Sequence, residues 1–255
     1  MRQVVRALGW ATRILWVAII IFGLTVAYSA TNLQAGVGQP QPPLVSNGLM
    51  TLALPFYINN TGFYSISGLN ITTEIRDHNG TSVSTSTTLV PLIPADSFVE
   101  RTHNISVSLP YMAQNLTYLV FEDSNLTINV LIAMMFAHAV SLQMSANTTL
   151  WWGAPLSNFA IGEISADLIA QEMIVPLNFE NHSPVYIDGT LRLEIYNGNN
   201  QHLGSGMMDV SVPPGHMYDD RLEVSVDVSK LTEKGEVHFY FETSTFSLGP
   251  IIMSW

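Results

Sequence analysis

The chain has no cysteine in 255 residues. This excludes disulfides as a source of stability, thiol nucleophiles, and every metal site built on thiolate. Charge is the second shortage: charged residues make up 11% of the chain, against roughly 25% in ordinary soluble proteins. No acidic side chain occurs before residue 70, while Arg2, Arg6 and Arg13 fall in the first 13 positions. From residue 14 onward, 6 basic side chains stand against 20 acidic ones, a formal −14. A body of that charge repels nucleic acid and anionic lipid headgroups, which excludes nucleic acid as a partner. The glycine patterns of phosphate-binding loops and the Gly-x-Ser-x-Gly nucleophile turn are also missing.

What is present is a long repeat. Leu54-Pro55-Phe56-Tyr57-Ile58-Asn59-Asn60 returns as Val175-Pro176-Leu177-Asn178-Phe179-Glu180-Asn181. Ile66-Ser67-Gly68 matches Ile187-Asp188-Gly189, and Ile93-Pro94 matches Val212-Pro213. A period this long is a domain duplication, since solenoids and propellers repeat every 20–50 residues or so. With 47% apolar residues, 255 residues suffice for two cores of ordinary size.

Leu8 to Tyr28 carries only Arg13 as a charge, and Ile14–Ala30 is an unbroken apolar run of 17 residues. Residues 8–30 therefore match the roughly 20 needed to cross about 30 Å of hydrocarbon. Arg13 can snorkel to the inner face, and Trp10, Trp16 and Tyr28 are placed as interfacial aromatics. Positive charge before the span puts the N-terminus in the cytoplasm and the bulk outside. A cleaved signal peptide is the rival, with weak small-residue sites at Tyr28-Ser29-Ala30 and Ser29-Ala30-Thr31. Eight Asn-x-Ser/Thr sequons follow: Asn59, Asn70, Asn79, Asn104, Asn115, Asn125, Asn147 and Asn181. Read with the topology, they are candidate glycosylation sites on an extracellular surface. An acidic, cysteine-free, sequon-rich surface protein suits an archaeal cell surface.

The expected organisation is an N-terminus and anchor over 1–33 and an extended Pro/Gly/Gln linker over 34–48. A first β-sandwich covers 49–162 and a second 163–255. The fold is mainly β: a transmembrane helix followed by two tandem sandwiches, the first carrying an insertion. Period-2 alternation is clear in Leu191–Ile195 and Leu222–Val228, and turn residues recur every 8–12 positions or so. The insertion spans about 111–144. Its Met-, Ala- and Leu-rich run Leu126–Val140 predicts a helix, apolar nearly all round, that must be covered.

The second repeat resembles a known family. Asn181–Gly189 precedes an alternating strand; Leu203-Gly204-Ser205-Gly206 and Val212-Pro213-Pro214-Gly215 follow. These turns resemble the late-embryogenesis-abundant type 14 domain, also called the water-stress and hypersensitive-response domain. The resemblance covers roughly Ile174–Val228; the first repeat keeps Asn60, Gly68 and Pro94-Ala95 but lacks the Leu-Gly-x-Gly turn. The resemblance implies fibronectin-III/Ig-like sandwiches and non-enzymatic, membrane-tethered or lipid-associated roles, with no catalytic residues to transfer.

Seven scattered histidines share no ligand spacing, so surface or turn positions are expected for them, and a packing role for His138. Asp219, Asp220, Glu223 and Asp227 form the densest acidic group, a solvated face rather than a Ca²⁺ loop. No catalytic, cofactor or metal residue is expected. Interface candidates are the exposed-looking apolar groups Trp151, Trp152, Met134, Met135, Phe136 and Trp255. The expected function is a membrane-anchored structural or accessory subunit of an envelope assembly, with a protein partner or a second copy. The alternatives are a lipid or small hydrophobic ligand-binding module, and a pilin-like filament subunit.

Overall fold

The computed structural model describes residues 2–39 and 41–255. Met1 and Pro40, which the sequence assigns to the cytoplasmic N-terminus and the linker, lie outside the described residues. The chain opens with helix α1, Arg2–Thr31. Within it Trp10–Thr31, with mean hydropathy 2.1, is long and apolar enough to cross a membrane by length and composition.

Eight strands build the first sandwich: β1 Leu33–Val37, β2 Leu44–Ser46, β3 Leu49–Asn60, β4 Ile66–Arg76, β5 Ser82–Ile93, β6 Ser97–Ser108, β7 Ser124–Phe136 and β8 Val140–Trp152. Two short helices, α2 Leu109–Asn115 and α3 Tyr118–Phe121, come between β6 and β7. The second sandwich repeats the plan: β9 Ser157–Ile161, β10 Ser165–Asp167, β11 Glu172–Glu180, β12 Ile187–Asn197, β13 His202–Val212, β14 Met217–Ser225, β15 Gly235–Thr243 and β16 Ser247–Ser254. One sheet of the first sandwich has β3 between β6 on one side and β1 then β2 on the other; the facing sheet runs β5-β4-β7-β8. In the second, β11 lies between β14 and the pair β9 and β10, facing β13-β12-β15-β16. All these pairings are antiparallel.

Alternation explains the cores. Met173, Val175, Leu177 and Phe179 of β11 are buried, as are Leu191, Leu193 and Ile195 of β12 and Val237, Phe239 and Phe241 of β15. The same turn chemistry closes both copies. The Asp77 carboxylate accepts from the amides of Asn79 (2.9 Å) and Thr81 (2.7 Å). Asn197 does so from Asn199 (3.0 Å) and Gln201 (2.9 Å). Asn60 and Asn181 also correspond. The Asn60 amide group donates to the carbonyls of Tyr64 and Pro94, and that of Asn181 to Val185 and Val212, all within 3.0 Å.

Three expectations are corrected. First, the helix predicted over Leu126–Val140 is strand β7 and its turn into β8. Its inward residues Leu126, Met134 and Phe136 are buried at strand spacing, and β-branched Thr127, Ile128, Val130 and Ile132 suit that conformation. Pairing with β4 and β8 overrides the helix propensity of Met and Ala. The inserted helices are α2 and α3 alone, standing where the second copy has a single 3₁₀ turn, Val228–Lys230. Second, the linker is not a free spacer. β1 and β2 are stitched to the edge of β3, and between them Gly38 N and Gln41 N bond the carbonyls of Pro55 (2.8 Å) and Ala53 (3.1 Å). Third, Ser157–Ile161 pairs with β11 and so belongs to the second sandwich.

The buried residues fall into two clusters. The smaller holds Phe56, Ile58, Ile66, Leu69, Val90, Ile93, Met134 and Phe136, with Val26 of α1, Leu33 and Tyr64 packed on it. The larger begins in the other half of the first sandwich, passes through α2 and α3, and fills the second. A polar layer occupies the core of the first sandwich: buried His103 bonds Thr73 Oγ1 (2.9 Å) through Nε2 and Thr88 Oγ1 (2.8 Å) through Nδ1.

Candidate functional site

The chemistry of the chain concentrates at the two ends of the first sandwich. At one end the loop Thr61–Ser65, between β3 and β4, packs on the last turns of α1. Ser29 is fully buried there, its Oγ accepting from Phe63 N (2.8 Å) and Tyr64 N (3.3 Å). Thr25 Oγ1 meets the Tyr64 hydroxyl at 2.8 Å, Phe22 packs edge-on against Tyr64, and Tyr28 stacks on Phe63. Asn32 O accepts from both Thr61 N (3.3 Å) and Thr61 Oγ1 (2.8 Å). Gly62 is required by proximity, because a Cβ there would stand 2.2 Å from Ser29 Oγ.

At the other end the equivalent loop of the second copy, His182–Tyr186, packs on the end of β8. His182 N bonds Ala154 O at 3.0 Å, as Thr61 N bonds Asn32 O. A Cβ on Gly153 would fall 2.0 Å from His182 O. The His182 ring adds a charge link across the junction, Nδ1 to Asp123 Oδ2 (2.8 Å) and Nε2 to Glu180 Oε2 (2.7 Å). These two carboxylates, Asp123 first, raise the His182 pKa above its usual value. Asp123 Oδ1 also accepts from Ala154 N at 2.8 Å. Beside this link lies a cleft of about 550 Å³ lined by Pro43, Leu52, Trp151, His182, Pro184 and Pro214, among others.

The predicted interface residues separate. Trp151 is 58% exposed and forms a wall of the cleft. Trp152 is buried, its Nε1 donating to Leu119 O at 2.8 Å. Met134 and Phe136 are core residues and are withdrawn as interface candidates, because strand alternation turns them inward; Met135 between them faces out. Trp255 packs over Gly235 at the far end of the second core. Among the sequons, Asn79, Asn104, Asn115, Asn125 and Asn147 are exposed, while Asn59 and Asn70 are half-buried. Asn181 is withdrawn as a glycosylation candidate, since it is fully buried with its amide group committed.

The surface or turn placement expected for the histidines fails at His103, whose burial lowers its pKa. His138 sits in the exposed β7–β8 turn with φ of 54°, bonding Ser65 Oγ at 3.1 Å. Among the described residues, no three His, Asp or Glu side chains are grouped to hold a metal ion. Sequence inspection missed the His182–Asp123–Glu180 link and the docking loop. Their only signal was the repeated Asn, Asn60 at the end of β3 and Asn181 just after β11.

No family model matches the chain, and no curated protein does. Solved structures give weak likenesses. The ApaA protein from Bordetella pertussis shares 15% identity over 46% of this chain and 91% of that one, with TM-score 0.30. The periplasmic chaperone SfaE shares 14% over 80% and 92%, with TM-score 0.29. An adhesin from Mobiluncus mulieris shares 9% over 81% and 80%, with TM-score 0.29. At these scores the likenesses carry no argument about function.

Proposed function

We propose that the chain is a non-enzymatic, single-pass membrane protein whose two sandwiches stand on the outer side as a structural or accessory element of an envelope assembly. The observation that carries this is the burial of Ser29, with half-buried Val26 packed against the core of the first sandwich. A cleaved leader would leave the Phe63 and Tyr64 amides without acceptors and part of the smaller core uncovered. The helix end is therefore treated as part of the folded body. The turn motifs shared with the type 14 late-embryogenesis-abundant domain support the same non-enzymatic, tethered role.

The test is fractionation of cells expressing the full chain. Intact α1 at the N-terminus of the mature protein, resistance to alkaline extraction, and protease access to the sandwiches only from outside support the assignment. A mature N-terminus after residue 30 and release into the soluble fraction overturn it.

A second reading rests on the cleft at Trp151. Its mostly apolar walls, with His182 and Ser183 as the polar side chains, suit a small hydrophobic ligand with one polar group. Mass spectrometry of organic extracts from the purified protein checks it: a co-purifying lipid lost on Trp151→Ala supports it, and an empty extract removes it.

A further inference from the structure

The depth at which α1 must sit in a bilayer limits where the first sandwich can be. Arg13 is the one charge within the apolar segment, and its position at the hydrocarbon centre would be costly. Placed at the inner boundary, it leaves residues 14–31 to cross the membrane, about 27 Å at 1.5 Å per residue. The hydrocarbon core is about 30 Å thick, so whether Arg13 sits at that boundary or snorkels to it from deeper, the stretch from Phe22 to Ser29 lies from about mid-depth outward. Yet Phe22, Thr25, Tyr28 and Ser29 are the residues against which Phe63 and Tyr64 are packed. These contacts reach back more than two turns from the helix end.

We infer that the α1-facing end of the first sandwich is seated in the outer leaflet of the bilayer that α1 crosses, contacting lipid through apolar side chains. This rests on α1 being a retained anchor, as proposed above.

Two further features of that end fit a lipid environment. Non-helical backbone at membrane depth must satisfy its polar groups internally. Here the four amides from Thr61 to Tyr64 each donate within the protein, to Asn32 O, Asn60 Oδ1 and Ser29 Oγ. Large apolar side chains point outward there, Phe63 67% exposed, Phe98 60% and Leu92 51%, with Thr61, Asp96 and His138 exposed among them. The register puts Phe98 beside Asn59 and Leu92 beside Ser67, at the same end as the loop. Across residues 57–68, 88–98 and 132–145, Asp96 is the single carboxylate and no lysine or arginine occurs. A surface lacking basic groups has no electrostatic grip on anionic headgroups, so the contact is hydrophobic and suits zwitterionic lipid.

The absence of cysteine allows a direct test on the full chain. Single variants Val17→Cys, Phe63→Cys, Phe98→Cys and Glu233→Cys are labelled with an environment-sensitive fluorophore and reconstituted into phosphatidylcholine vesicles. The quencher is a phosphatidylcholine with a spin label high on its acyl chain. Val17 reports the anchor, and Glu233, exposed in the second sandwich, reports bulk water. Seating predicts quenching at 63 and 98 comparable to that at 17, with none at 233. Quenching at 17 with neither 63 nor 98 above 233 overturns the seating while leaving the anchor standing. No quenching at 17 overturns the anchor and the seating together. Two reporter positions keep the test decisive if the Phe63 variant misfolds.

Discussion

Two histidines with opposite environments set the behaviour of single residues. Burial lowers the pKa of His103 by disfavouring its charged form. Its contribution is whole above the unfolded value near 6.5 and is lost as pH falls through the depressed folded value. His182 is the reverse: Asp123 and Glu180 raise its pKa, so its contribution is whole below about 6.5 and is lost as pH rises through the folded value. Thermal unfolding followed against pH should weaken on both sides. His103→Gln should flatten the acid limb and His182→Gln the neutral-to-alkaline one; unchanged limbs would refute the assignments. Asn181 is a third decisive residue. Asn181→Ala strands the carbonyls of Val185 and Val212 and removes the acceptor of Ser183 N, an expected cost of at least about 2 kcal/mol. Glycopeptide mapping should find Asn181 bare, with occupancy confined to the exposed sequons.

At the scale of elements, strand β7 shows where the sequence was legible and where it was not. Leu191–Ile195 reads as a strand because its outward residues are charged. In β7 the outward residues include Leu131, Ala133 and Met135, so apolar side chains on both faces erase the alternation that marks a strand. Strands β1 and β2 were illegible for another reason: their Pro- and Gly-rich surroundings follow turn chemistry, and only the free edge of β3 recruits them. The repeated Asn60 and Asn181 were legible as matching positions, but not as the side chains that shape both docking loops. The revised assignment of β7 has a direct check. Met134→Ala should cost about 2–5 kcal/mol, as a buried large-to-small change does. Met135→Ala should stay within about 0.5 kcal/mol, as surface substitutions do. A helix with both residues on a covered face would make the two costs similar, and chemical denaturation distinguishes the cases.

For the whole molecule, the informative feature is that one mode of attachment is used twice. The first sandwich grips α1 and the second grips the end of β8 with corresponding loops and a corresponding backbone bond. Gly62→Ala and Gly153→Ala therefore each threaten a junction rather than a core, since their new methyl groups would overlap Ser29 and the His182 carbonyl. The expected result for Gly153→Ala is two separate unfolding transitions in calorimetry where the parent shows one; a single unshifted transition would refute the tight approach.

Duplication did not, however, make the two halves interchangeable. Arg76 faces Thr127 where its counterpart Tyr196 faces Glu236, so by strand register Asp123 corresponds to Thr232, and the carboxylate that links to His182 has no acidic counterpart in the second copy. Copying this junction onto the second sandwich would therefore take a carboxylate introduced at Thr232 as well as a matching docking loop.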